Sequence, residues 1–130
     1  MCEDTPTRVV KPENARSSIL CVDSSPEMLE IYKSVLEADG YHVVTVRSGA
    51  DALQLLKFYP IDAVVLDDVM PGMTGVALAE KIKLSKRDVL VVMYSSNLSE
   101  CTDLPYVDSL LYKGKGPIAL RKLLGTLLHK

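Results

Sequence analysis

Short, continuously apolar runs alternate along this chain with longer stretches in which apolar residues recur every three or four positions. The runs are "SILCV" (Ser18 to Val22), "YHVVTV" (Tyr41 to Val46), "DAVVL" (Asp62 to Leu66), "VLVVMY" (Val89 to Tyr94) and "SLLY" (Ser109 to Tyr112). Most lack polar alternation and are rich in Val, Leu and Ile, which predicts strands covered on both faces. Helix signals lie between them. Ser25-Pro26 supplies a capping hydroxyl before a proline at the first helical position, and Leu29, Tyr32 and Leu36 follow at helical steps up to Gly40. Ser48-Gly49 opens a second helix through Leu53, Leu56 and Phe58, stopped by Pro60. Thr74-Gly75 opens a third, with Val76, Ala79 and Ile82 on its apolar face. A last helix runs from about Pro117 on Leu120, Leu123, Leu124, Leu127 and Leu128. Between the fourth and fifth runs, "SSNLSECTDLPYVD" has room only for a turn or two of helix at Leu98 to Leu104 before Pro105.

Strands alternating with helices give βαβ units, whose right-handed crossovers build a parallel sheet with helices on both faces. The predicted fold class is therefore α/β: a doubly wound, five-stranded parallel sheet in the order 2-1-3-4-5, flavodoxin-like, with a shortened fourth helix. Ligands of such sheets bind beyond the carboxyl ends of the strands, where the strand order reverses. Here that point lies between the first and third strands, which end on Asp23 and Asp67. Residues 1–17 mix charges with two prolines and show no periodicity, so they are expected to be a flexible tail before a domain at 18–130.

Composition narrows the class without naming it. A chain of 130 residues is one domain's worth, and 48% apolar with 25% charged residues is ordinary for a globular protein. The net charge of -2 favours no highly charged partner. Lys113, Lys115, Arg121, Lys122 and Lys130 cluster at the C-terminal end without an acid among them, which reads as a solvated basic helix face; nucleic acid is not an expected partner. Cys2, Cys21 and Cys101 have neither metal-site nor disulfide spacing, which suits a reducing compartment. No run approaches a membrane span, and a cytoplasmic location is expected.

The remaining strands bring further groups to the same rim: Ser95 and Ser96 after the fourth, Lys113 after the fifth. Two carboxylates, a hydroxyl and an ammonium suit phosphoryl chemistry. Carboxylates hold a hard cation such as Mg²⁺, and cation and ammonium together neutralise phosphoryl oxygens. An aspartate beside a cation can also act as a nucleophile and form an acyl phosphate. Each residue alone is an ordinary turn former or cap; it is their arrival at successive strand ends that points to chemistry.

From Ser18 onward the sequence resembles the receiver domain of two-component response regulators. The matching pieces are "ILCVDSSPEM", "AVVLDDVMPGMTG", "VVMYSS" and "LLYKG", of which the D-x-x-MPG-x-x-G segment is the most specific. The resemblance implies that Asp67 is the phosphoacceptor, and that Asp23, Asp67 and the backbone carbonyl of Val69 hold Mg²⁺. It further implies that Ser95 is the switch hydroxyl and that Lys113 contacts the phosphoryl oxygens. The implied partner is a histidine kinase or phosphotransfer protein, with a downstream protein that the sequence does not name and no membrane. The implied role is a phosphorelay receiver signalling through protein contacts, not an enzyme.

Departures from the family pattern bear on that role. The acidic pair ending the first strand reads Asp23-Ser24, so a hydroxyl stands where a carboxylate would touch Mg²⁺; weak metal binding and slow phosphorylation are expected. Gly114 replaces the proline after the lysine, and "KGKGP" is expected to be a mobile loop. Leu110 stands where the family often has an aromatic partner for the switch. The stretch from Ser95 to Lys113 is several residues shorter than usual. The alternative reading is a degenerate receiver, a binding module that no longer takes phosphate. An aspartyl phosphatase would want a second acid where Val69 stands, and "VDSSPE" is a thin candidate for a flavin phosphate loop. Successive strand residues point to opposite faces, so Asp67 is expected to lean into the crevice and Asp68 to point away from it.

Overall fold

The computed structural model of the protein describes residues 16–96 and 104–128. Its elements follow the order β1 (Ser18–Val22), α1 (Pro26–Ala38), β2 (His42–Val46), α2 (Gly49–Leu56), β3 (Ala63–Leu66), α3 (Gly75–Ser85), β4 (Leu90–Ser95), β5 (Ser109–Tyr112), a single 3₁₀ turn at Lys113–Lys115, and α4 (Pro117–Leu128). The five strands form one parallel sheet in the order β2-β1-β3-β4-β5. This is the flavodoxin-like α/β arrangement that the alternating pattern predicts. The helical turn expected at Leu98 to Leu104 and the tail expected at 1–17 fall almost wholly outside the described residues.

Alternation within each strand splits the core into two layers. Leu20, Val22, Val64, Leu66, Val91 and Met93 pack against Ala52 and Leu56 of α2 and Leu78, Ala79 and Ile82 of α3. Ile19, Cys21, Ala63, Val65, Val92 and Tyr94 face the other way, onto Leu29, Tyr32 and Leu36 of α1 and Leu120 and Leu124 of α4. The helices start where capping side chains allow. Ser25, Ser48 and Thr74 accept from the backbone N–H groups of Met28, Asp51 and Ala77, each satisfying a donor that the first turn leaves over.

Element edges move by a residue for local reasons. The Tyr41 N–H donates to Leu36 O at the end of α1, so β2 begins at His42. The Val89 N–H closes a turn onto Lys86 O, so β4 begins at Leu90. Helix α2 ends at Leu56, which leaves Phe58 beyond it and 73% exposed. Val76 also points outward, and the buried face of α3 is Leu78, Ala79 and Ile82.

Register then fixes the rim. Val22 stands level with Leu66, Leu66 with Met93, and Ser95 with Tyr112. Continuing each ladder puts Asp23 level with Asp67, and Asp68 level with Ser95. At the opposite end, Asp108 pins the start of β5: its carboxylate accepts from the Val91 N–H at 2.8 Å and pairs with Lys83 of α3 at 2.6 Å.

Candidate functional site

The carboxyl rim between β1 and β3 gathers Asp23, Asp67 and Lys113. Asp23 is 2% exposed, and three donors engage its carboxylate. Oδ1 accepts from the Ser25 N–H at 2.9 Å; Oδ2 accepts from the Tyr32 hydroxyl at 2.8 Å and from Lys113 Nζ at 3.1 Å. Burying a polar group this deep is costly unless it is hydrogen-bonded and paired, and this one is both. Lys113 Nζ also lies 3.4 Å from Asp67 Oδ1, so the ammonium bridges the two acids.

Tyrosines form the floor. Tyr32 from α1 meets Tyr94 from β4 edge to face, with centroids 5.7 Å apart, and Lys113 Nζ sits 6.0 Å from the Tyr94 ring centre. Burial, reinforced by the Asp23 charge, pushes the Tyr32 phenol far above its usual range, so it stays a hydrogen-bond donor. The same two causes raise the buried Cys21 thiol, which leaves it inert as a nucleophile.

The two adjacent acids after β3 are not equivalent. Asp67 Oδ1 accepts from the Asp68 N–H at 2.9 Å. Burial and hydrogen bonding to Asp68 hold the Asp67 carboxyl above the ordinary range, outweighing the Lys113 ammonium. Burial would raise Asp68 too, yet hydrogen bonding with the Ser95 hydroxyl, the Asp67 side chain and the backbone, together with Lys113, holds it below that range. Strand alternation would send Asp68 away from Asp67, but β3 ends at Leu66 and the Asp68 carboxylate stays at the rim, hydrogen-bonded with the Asp67 side chain and with the fully buried Ser95.

Glycines make the close approaches possible. At Gly75 an added Cβ would overlap the Asp67 carbonyl oxygen, and the Gly75 N–H donates to Asp68 O at 3.1 Å. At Gly114 an added Cβ would overlap the Tyr112 ring. The segment expected to be a mobile loop is therefore a 3₁₀ turn beneath a tyrosine, leaving through Gly116 at φ 89°. Ser24 holds Arg47 Nη2 on its carbonyl at 3.2 Å. Val69 lies 72% exposed in the loop after β3, and Leu110 is half-buried against the α2/α3 layer.

Asp23, Asp67 and Lys113 are thus together as expected, Ser95 stands one strand over beside Asp68, Ser24 directly follows Asp23, and Val69 lies exposed in the loop after β3. Sequence reasoning missed the Tyr32 hydroxyl, which reads only as one more apolar-face residue at helical spacing. It also missed the Asp68–Ser95 pair, for which the β3–β4 register is the signal.

The sequence pattern of the response regulator receiver domain matches residues 19–108. The chain belongs to the response regulator receiver family. This receiver is 42% identical over 69 residues to a probable cyclic di-GMP phosphodiesterase of Vibrio cholerae, covering 53% of the chain and 15% of that protein. It is 32% identical over 82 residues to the response regulator SaeR of Staphylococcus aureus, covering 63% of the chain and 36% of SaeR. The receiver thus spans well under half the length of these curated relatives. Among solved structures it is similar to the response regulator TrrA of Thermotoga maritima in complex with Mg²⁺-BeF, at 28% identity and TM-score 0.80, covering 85% of this chain and 98% of that one. A complex of the histidine kinase ThkA with TrrA matches at 28% identity and TM-score 0.79, covering 86% and 98%. Receivers are modules of two-component signalling. No helix among the described residues is long and apolar enough to cross a membrane.

Proposed function

We propose that this receiver accepts a phosphoryl group on Asp67 from a histidine kinase or phosphotransfer protein and signals through contacts with a further protein. The observation that carries the reading is the convergence of the Asp23 and Asp67 carboxylates on the Lys113 ammonium, at 3.1 and 3.4 Å. Two acids already gathered around a cationic atom fit a hard divalent ion, since Mg²⁺ takes one or two carboxylates and keeps several waters. Asp67 and the Val69 carbonyl would hold Mg²⁺ directly, and Asp23 through water. When bound, the ion supplies positive charge against the transferring phosphoryl oxygens. The Mg²⁺-BeF complex of TrrA and the pairing of TrrA with a histidine kinase support cation and partner by similarity.

In the proposed transfer, an Asp67 carboxylate oxygen attacks phosphorus of the donor's phosphohistidine. The O–P bond forms as the P–N bond breaks, and the leaving electron pair stays on the imidazole nitrogen. Lys113 meets the oxygens of the resulting acyl phosphate and Ser95 serves them from β4. The added charge shifts the population of the loops after β3 and β4, which a partner reads as a changed surface. The role requires no turnover of a further substrate.

Incubation with acetyl phosphate and millimolar Mg²⁺ is expected to add about 80 Da, read by intact mass, and Asp67→Asn to abolish it. Label persisting in Asp67→Asn would move the acceptor elsewhere.

A second reading, a receiver that binds its partner without phosphorylation, is favoured by Ser24, a poor Mg²⁺ ligand where the family places a carboxylate. An unlabelled wild type under these conditions would select it. On the first reading, Ser24→Asp should tighten Mg²⁺ about tenfold, roughly 1.4 kcal/mol, by isothermal titration calorimetry. Unchanged affinity would remove position 24 from the cation site.

A further inference from the structure

The side chain of Asp68 lies where the family's variable residue after the phosphoacceptor stands, yet its surroundings are not those of a variable surface residue. One of its carboxylate oxygens is buried. Its main chain is fixed from both sides: the N–H donates to Asp67 Oδ1 at 2.9 Å, and the carbonyl accepts from Gly75 at 3.1 Å. With the backbone held, its carboxylate stays at the rim, where it hydrogen-bonds with the Asp67 side chain. Leu66 stands level with Met93, so two residues on, Asp68 stands level with Ser95. Ser95 is fully buried at the end of β4, and its hydroxyl bonds to the Asp68 carboxylate.

We propose that Asp68 is a positioning residue, a resident anion that holds the Ser95 hydroxyl in the unphosphorylated receiver and must release it before Ser95 can serve a phosphoryl group on Asp67. The proposal rests on the reading of Asp67 and Ser95 given above for its second half, while its first half, the hold on Ser95, stands on the β3–β4 register, the burial of Ser95 and its hydrogen bond to Asp68. Asp68 acts in two ways. It occupies the donor that the phosphoryl oxygens would use, and it adds a negative charge beside the carboxylate that an anionic phosphodonor must approach. It does not stand in for the acid missing at Ser24. That position lies at the end of β1, whereas Asp68 reaches toward β4. The sequence thus loses a charge on the cation side and gains one on the switch side, and both changes slow phosphorylation.

The test has two arms that read different things. In the unphosphorylated protein, Hα–Hβ couplings of Ser95 measured by NMR should report a single χ1 rotamer in wild type and rotamer averaging in Asp68→Ala. Asp68→Asn, nearly the same shape and still able to accept the bond, should remain close to wild type in this arm. An averaged Ser95 in wild type, or one unmoved in Asp68→Ala, would overturn the proposal whether or not the protein takes phosphate. In the second arm, labelling by phosphoramidate should be about three- to tenfold faster in Asp68→Ala than in wild type, and Asp68→Asn should also exceed wild type through loss of charge. In a Ser95→Ala background, the part of the gain that comes from releasing Ser95 should disappear. Equal or slower labelling in Asp68→Ala would overturn the gating half. If neither wild type nor any variant takes label, the phosphoacceptor reading fails, and the rotamer arm alone decides the hold of Asp68 on Ser95.

Discussion

Gly75→Ala should destabilise the domain by about 2–3 kcal/mol, seen as a lower urea midpoint at an unchanged slope. The reason is space, since Gly75 has no positive φ to explain it. A Cβ there would overlap the carbonyl oxygen of Asp67 and stand 2.9 Å from the Asp68 Cα. Both obstacles are backbone atoms, so no rotamer change relieves them. Either α3 must tilt away from the end of β3, losing the Gly75–Asp68 hydrogen bond, or the chain carrying both acids must shift. Either response disturbs Asp67 as well as the fold, so phosphoryl labelling should fall with stability. Gly125 provides the contrast. It lies within α4, where an added Cβ meets nothing closer than the Tyr41 hydroxyl at 3.9 Å, so Gly125→Ala should stabilise by about 0.5–1 kcal/mol through helix propensity. A Gly75→Ala protein as stable as wild type would show that the first turn of α3 is free to move.

Much of this architecture is legible in the sequence because its signals are local and repeated. Continuous apolar runs mark strands buried on both faces, and Ser25, Ser48 and Thr74 mark helix starts by side chains that satisfy first-turn donors. The site is legible to the same depth. Once the strand order follows from the alternation, Asp23, Asp67 and Lys113 must share a rim, and they do.

What stayed hidden depends on tertiary placement. Tyr32 has the spacing of a core residue and is one, and nothing in a helical period says that its hydroxyl ends on Asp23. Gly114 reads as freedom, yet the turn is shaped by the Tyr112 ring packed where its Cβ would be. Alternation alone would point Asp68 away from Asp67, but β3 ends at Leu66 and the two side chains hydrogen-bond beyond it. Only the register of β3 against β4 brings Ser95 there. The helical period that runs through Phe58 and starts at Val76 takes in residues at or beyond helix ends, where the chain has already left, or has not yet entered, the packed surface, and both side chains are exposed.

Lys113→Met should cost about 2 kcal/mol of stability, more than an exposed ion pair and less than a fully buried one, because the ammonium keeps partial access to water while Asp23 is 2% exposed. The larger part of the loss comes from what remains. Asp23 would keep the Tyr32 hydroxyl and the Ser25 N–H but face Asp67 with no counter-charge between them. Burial already holds the Asp67 carboxyl above its ordinary range, and losing the ammonium that opposes this, with the Asp23 charge still facing it, raises its folded-state pKa further. The folded form then binds more protons than the unfolded one, so the deficit should be full above the folded pKa of Asp67 and shrink as pH falls through it. Asp23→Asn in the same chain removes one of the opposed charges and leaves an acceptor for Tyr32. The double variant should therefore be more stable than the two single losses predict, by about 1–2 kcal/mol in a thermodynamic cycle of urea midpoints. Strict additivity would mean that Lys113 holds the rim by packing over Tyr94 rather than by joining the two acids, and the pH dependence of Lys113→Met would then be flat.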